Sequence, residues 1–296
     1  MKNRVTELLG CRYPVIQGAM GVICNPEFVA AVSEAGGFGL LATAFAEGVD
    51  VVREQIKATQ KITDKPFGLN LFVMNPLAPE FARVLADEGI GVVTVSGGSP
   101  KALIPLLHEL GIKAVVVVPT VKVALSAEAA GADAIVAEGT ESGGVQGYRG
   151  ASTLVLTPAV ADAVKVPVIA AGGIGDSRAY KAALALGADG VQVGTRFIAS
   201  TECIAHTNYK NIIVQSLETG TALVDFGRFR VRALQTPLVE KLARTDQMDA
   251  GLFGGKAMED SWLKGDAAAG ILPAGEISGL IDGVLSVREI IEEMVG

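Results

Sequence analysis

VPVIAAGGIGDSRAYKAALALGADGVQVGTRFI, residues 166–198, reads as strand, glycine turn, helix, strand, glycine turn. The run Pro167–Ala171 is continuously apolar, as a parallel strand buried on both faces requires, and it stops at Gly172, Gly173 and Gly175, where the backbone must turn tightly. Asp176 or Ser177 can cap a helix whose Tyr180, Ala183, Leu184 and Leu186 recur at helical spacing. Gly187-Ala188-Asp189 closes it, Gly190–Val193 begins the next strand, and Gly194-Thr195 turns again. Two such turns at neighbouring parallel strand ends present backbone N–H groups on one face of the sheet, a setting suited to an anion.

Working outward, the same strand and helix alternation fills the chain. Strand-like runs fall at Pro14–Gln17, Phe38–Ala42, Phe67–Phe72, Gly91–Val95, Lys113–Val118, Ala134–Ala137, Val168–Ala171 and Gly190–Val193. Helical patterns lie between them, several ending in a glycine that can adopt the left-handed cap, such as Gly89, Gly111 and Gly131. Eight such units imply a (β/α)8 TIM barrel, with functional residues at the C-terminal strand ends and a phosphate site after strands seven and eight. A doubly wound sheet competes poorly. Its dinucleotide fingerprint belongs after the first strand of its unit, with an acidic residue at the next strand end, whereas here that end is Gly194-Thr195. The expected division is an α/β barrel over 1–200, an inserted, partly helical lid over 201–265, and C-terminal helices over 266–296 that complete the barrel.

The 296 residues, half of them hydrophobic, can fill one large core. A net charge of −7 with no basic cluster argues against nucleic acid as a partner. Arg228, Arg230 and Arg232 alternate and would share one strand face, either as a local site for an acidic group or, more simply, as a solvated edge. Cys11, Cys24 and Cys203 have no metal or redox spacing, so no metal site is expected and a reducing, cytoplasmic setting is the simplest reading. No apolar run is long enough for export or for membrane spanning.

The expected strand ends collect Gln17-Gly18-Ala19-Met20, Asn70, Ser96-Gly97-Gly98 and Glu138–Gly144. Asn70 sits in an otherwise apolar strand, where its amide needs a partner, either a ligand heteroatom or a neighbouring group. The loop from Glu138 to Ser152 carries five glycines, and long glycine-rich loops on this barrel face commonly act on a ligand.

Several stretches in one order then carry a resemblance: RVTELL (4–9), YPVIQGAM (13–20), SEAGGFG (33–39), DKPFGLN (64–70), ADAIVAEGTESGG (132–144), PVIAAGGIG (167–175), GVQVGTRF (190–197), HTNYK (206–210) and PAGEISGL (273–280). Together they resemble the flavin-dependent family of nitronate monooxygenases, also called 2-nitropropane dioxygenases, and FMN-dependent enoyl-acyl-carrier-protein reductases. The resemblance implies FMN with its phosphate at Gly173, Gly194 and Thr195, Gln192 beside it, and its ring near Ala19, Met20, Asn70, Glu138 and Gly143. It also implies a small-molecule substrate, a nitronate or an enoyl thioester, with NAD(P)H as an electron donor for the second, and it allows a homodimer.

One position departs from the pattern. The family's catalytic histidine follows the paired glycines of the strand-six loop, where this chain has Val145. Only His108 and His206 are present, in a helix between strands and beyond strand eight. A valine cannot move a proton, and acid–base catalysis is worth about 10² to 10⁴ in rate. Tyr148 is the nearest replacement donor in sequence, and packing is its alternative role. Nitronate oxidation starts from an anion and tolerates this loss better than enoyl reduction does, so the monooxygenase reading leads. Enoyl reduction, a flavin or quinone reductase, and a non-catalytic flavin-binding barrel are the alternatives.

Overall fold

The computed structural model describes residues 3–227, 229–244 and 250–296. Its strands are β1 (Val15–Gln17), β2 (Gly39–Ala42), β3 (Phe67–Phe72), β4 (Val92–Ser96), β5 (Lys113–Val118), β6 (Ala134–Glu138), β7 (Gly144–Gln146), β8 (Val168–Ala171), β9 (Gly190–Val193), β10 (Thr221–Asp225) and β11 (Arg230–Leu234). Eight of them form one parallel sheet in the order β1-β9-β8-β6-β5-β4-β3-β2, and a parallel bridge between Ile16 and Phe38 joins its two ends. The expected TIM barrel is therefore present, with every expected strand in place.

Strand parity divides the core in two. Ile16, Leu40, Val92, Val115, Ala134, Val136, Ile169 and Ala171 meet inside the barrel, closed from below by Val5 and Leu9 of the helix Arg4–Leu9. Residues of the other parity, such as Leu69, Leu71, Val93, Val95 and Ile135, pack outward against helix residues such as Phe81, Leu85, Ile104 and Leu107. Following the inward parity upward places Gly18, Asn70, Val117, Glu138, Gln192 and Gly194 at the C-terminal mouth. Register confirms the alignment, with Asn70 opposite Thr94, and Ala171 opposite both Glu138 and Gln192.

The lid is helical only in part, as expected, at Thr207–Val214, Pro237–Leu242 and Gly255–Met258. It also contains an antiparallel hairpin, β10 and β11, which the sequence reading did not anticipate. β11 pairs in turn with β7, from the loop after β6, so that Val231 lies opposite Val145 and Arg232 opposite Gly144. Arg228 lies outside the described residues. Arg232 is not on a solvated edge: it is buried, it donates from Nε to the Thr140 carbonyl at 2.9 Å, and it pairs with Glu276 at 3.0 Å. Among the described residues no helix is long and apolar enough to cross a membrane.

The barrel wall is close-packed enough to be tested by one methyl group. β2 runs against the helix Pro26–Glu34 so closely that a Cβ on Gly39 would collide with the Val29 carbonyl oxygen. Backbone cannot yield there as a flexible side chain would, so Gly39→Ala is expected to lower unfolding stability by about 1–3 kcal/mol in urea titration.

Candidate active site

A cavity of about 660 Å³ opens at the C-terminal mouth of the barrel. Its floor and one wall are the two glycine turns. Gly172 and Gly173 have φ of +98° and +70°, which favours glycine, and a Cβ on Gly172 would also press on the Gly139 carbonyl and the Thr153 hydroxyl at 2.9 Å. Gly194 follows β9, and a Cβ there would meet nothing nearer than the Met20 sulfur at 3.8 Å, so this position opens into the cavity. Thr195 is buried, and its hydroxyl accepts the Gly275 N–H at 2.8 Å. An oxygen already accepting at its lone pair keeps its own proton to donate, here beside the turn backbone. The result is a cradle of backbone groups and one hydroxyl, with no lysine or arginine in it, of the kind that holds an anion by close approach.

The other end of the cavity is walled by the inward residues of the upper barrel. Asn70 is buried, donating to Thr94 Oγ1 at 2.9 Å and accepting from Ser96 at 3.1 Å. Neighbours therefore satisfy part of its amide, while one N–H and one lone pair stay available towards the cavity. Gly143 must be glycine, because a Cβ there would lie 2.6 Å from the backbone of Ala274. Glu138 ends β6 and faces the cavity. Loss of water around it pushes its carboxyl up to about 7 from 4.5, against the opposing effect of a hydrogen bond with Ser142.

The structure brings Ala19, Met20, Asn70, Glu138, Gly143, Gly173, Gln192, Gly194 and Thr195 to this one cavity. It does not bring Tyr148, whose ring is half-exposed outside it, with the hydroxyl donating to Asp225 and the Arg230 guanidinium 5.4 Å from the ring centre. The two histidines are also elsewhere: His108 pairs with Asp133 at 3.0 Å on the surface, and His206 caps the helix Thr207–Val214. Val145 does line the cavity. What sequence reasoning missed is an aromatic wall in which Phe45, Trp262 and Phe229 stand 6.2–6.3 Å from Phe253, the last three contributed by the lid. Only an alternation too short to recognise, around Phe226 and Phe229, pointed to it.

A (β/α)8 barrel with an anion cradle after its last two strands and an apolar chamber beside it belongs to the cofactor-using barrel enzymes. The nitronate monooxygenase family model matches residues 2–88 and 80–296, and the chain belongs to that family of flavin-dependent oxidoreductases. It is similar to a probable nitronate monooxygenase of Staphylococcus saprophyticus, at 32% identity over 83% of this chain and 82% of that protein. It is likewise 30% identical, over all of this chain and 95% of the other, to a (3aS,4S,5R,7aS)-5-hydroxy-7a-methyl-1-oxo-octahydro-1H-indene-4-carboxyl-CoA dehydrogenase of Rhodococcus jostii. Among solved structures, FabK of Thermotoga maritima, an enoyl-ACP reductase, superposes with a TM-score of 0.93 and 39% identity, over 100% of this chain and 95% of that one.

The raised Glu138 carboxyl has a consequence for stability. Between pH 4.5 and about 7 the folded chain holds a proton that the unfolded chain releases, so Glu138 makes stability fall as pH rises across that window. Glu138→Gln is expected to stabilise the flavin-free protein above pH 7, by at most about 3 kcal/mol, with the gain vanishing as pH drops towards 4.5. Thermal unfolding of both proteins across this range measures it.

Proposed function

We propose that the protein is an FMN-dependent oxidoreductase acting at a carbon beside a group that delocalises charge onto oxygen, either the nitro group of an alkyl nitronate or the carbonyl of an enoyl thioester. The observation that carries the reading is the cradle of Gly173, Gly194 and Thr195 at one end of a chamber large enough for a cofactor. The fit is chemical as well as spatial. Backbone groups and the Thr195 hydroxyl suit a phosphate dianion, and the apolar chamber with the Asn70, Gln192 and Glu138 polar groups suits a flat heteroaromatic ring. When bound, FMN supplies hydride and electron transfer, and the protein supplies position, charge and exclusion of water.

Each part of the chain has a role in this arrangement. Gly172 and Gly173 allow phosphate to approach backbone without a side chain between them. Asn70, fixed by Thr94 and Ser96, offers its remaining N–H and lone pair to the ring edge. The aromatic wall of Phe45, Phe229, Phe253 and Trp262 covers the chamber from the lid side and keeps it apolar. Nitronate oxidation is the reading that Val145 hinders least. Enoyl thioester reduction with NAD(P)H as donor is the second reading, favoured by the full-length similarity to FabK and to an acyl-CoA enzyme and by the apolar lining.

Anaerobic titration of the flavin-loaded protein separates the two. Bleaching by NAD(P)H and recovery of colour on adding an enoyl thioester supports reduction, whereas oxygen-dependent turnover of an alkyl nitronate supports oxidation. No spectral response to either rules out a redox role. For the cradle itself, Gly194→Glu is expected to fold normally, because a Cβ has room there, yet to lose FMN by placing a carboxylate where the phosphate belongs. Retention at the wild-type level would put the phosphate elsewhere.

A further inference from the structure

We infer that the Glu138 carboxyl is the group that exchanges a proton with the reacting carbon of the substrate, in the place that Val145 leaves without a proton-active side chain. The inference rests on the flavin-dependent reading above and names the acid–base residue of that site.

Position comes first. Glu138 shares inward parity with Ala134 and Val136 and is the uppermost of the three, so its side chain projects from the barrel wall into the cavity. Its register partner Ala171 leads directly into the Gly172-Gly173 turn, which sets Glu138 one strand away from the anion cradle. β7, with Val145, lies six residues further along the same loop and lines the same cavity, so the two positions address one space.

Elimination comes second. Among the described residues lining the cavity, the ionisable side chains are Glu138, Glu141, Arg149 and Tyr209. Both carboxylate oxygens of Glu141 accept the Thr153 N–H at 2.9 Å, and one also accepts the Thr153 hydroxyl at 3.1 Å, which ties both oxygens to Thr153. The Tyr209 hydroxyl donates to the Pro273 carbonyl, and burial raises its pKa well above the ordinary tyrosine value. Arg149 is exposed at the rim, and a guanidinium does not give up its proton near neutrality. The strands flanking Glu138 bring Val117 from β5 and Ala171 from β8 to the cavity, neither of them charged. Loss of water around Glu138 brings its carboxyl to about 7, near the neutrality where general acids and bases work best.

The chemistry balances in either direction of use. In enoyl thioester reduction, the β-carbon receives a hydride whose source is reduced nicotinamide by way of the flavin. The π pair of the double bond moves to the α-carbon, the Glu138 O–H bond breaks, and its proton forms the new α C–H bond. The resulting carboxylate recovers a proton from water. With a neutral nitroalkane the Glu138 carboxylate instead takes the α-proton, leaving a nitronate and a protonated carboxyl, with no electron transferred in that step.

Two measurements test the assignment. In the first, infrared spectra of the flavin-free protein are recorded while pH is raised across neutrality. A protonated-carboxyl band that disappears with a midpoint near 7 is expected, and it should be missing in Glu138→Gln. In the second, flavin-loaded protein is incubated anaerobically with nitroethane in heavy water and loss of the α-hydrogen is followed by NMR. Wild-type exchange above the solvent background should rise with pH through about 7 and fall by about 10²-fold or more in Glu138→Gln. Glu138→Asp should keep part of it, and Val145→His added to Glu138→Gln should restore it. Glu138→Gln that holds FMN and exchanges at the wild-type rate overturns the assignment, as does a carboxyl band that persists in that variant. Loss of FMN from both Glu138→Gln and Glu138→Asp also overturns it, in favour of a cofactor-holding role. A wild-type protein that holds no FMN fails the flavin reading instead, and the infrared titration, which needs no flavin, keeps the two failures apart.

Discussion

The site depends on one close crossing of backbone on backbone, where Pro273–Glu276 lies over the loop that follows β6. Gly143 and Gly275 meet there with no room for a side chain on either, since added Cβ atoms would fall 2.6 Å from Ala274 and from the Glu141 carbonyl oxygen. The crossing then distributes hydrogen bonds in every direction. The Gly275 N–H goes to Thr195, the Glu276 N–H to the Glu141 carbonyl at 2.9 Å, and the Glu276 carboxylate to Arg232 of β11. Tyr209 of the lid donates to the Pro273 carbonyl, and Pro273 bridges to Ala233. Barrel, loop and lid are fixed to one another at a single knot, and the anion cradle and the chamber both take their shape from it.

That knot explains why a chamber can form at all on a barrel whose mouth would otherwise be open to water. β7 exists because β11 pairs with it, and the pairing carries Val145 into an apolar cluster with Val224, Val231 and Ala233. A valine at this position suits the lid packing, while it removes a proton-active group from the loop. Burial then acts on Glu138, the inward-facing carboxyl at the end of β6, by disfavouring its charged form. Packing of the lid and proton affinity in the chamber are thus two effects of the same exclusion of water.

How far the sequence shows this varies with the range of the interactions. Buried parallel strands are short continuous apolar runs bounded by glycine, so the eight barrel strands and both glycine turns are legible locally. The residues that line the cavity follow, because strand ends on one barrel face converge wherever the fold is right. β10 and β11 are not legible: TALVD and RVRAL mix charge with apolar residues, and their third partner β7 lies far away in the chain. Arg232 reads as a surface charge until Glu276 is seen beside it. Tyr148 reads as a donor because it is near the loop in sequence, yet its side chain leaves the cavity towards Asp225 and Arg230. The acidity of Glu138 depends on what encloses it, which no local pattern records.

The most direct test of the cradle at the centre of this account is the affinity of the flavin-free protein for FMN beside its affinity for riboflavin, which has the same ring without the phosphate. Fluorescence titration should show FMN bound far more tightly, with the preference lost in Gly194→Glu. Equal affinity for the two flavins would contradict the account, because the glycine turns and Thr195 would then not be holding a phosphate.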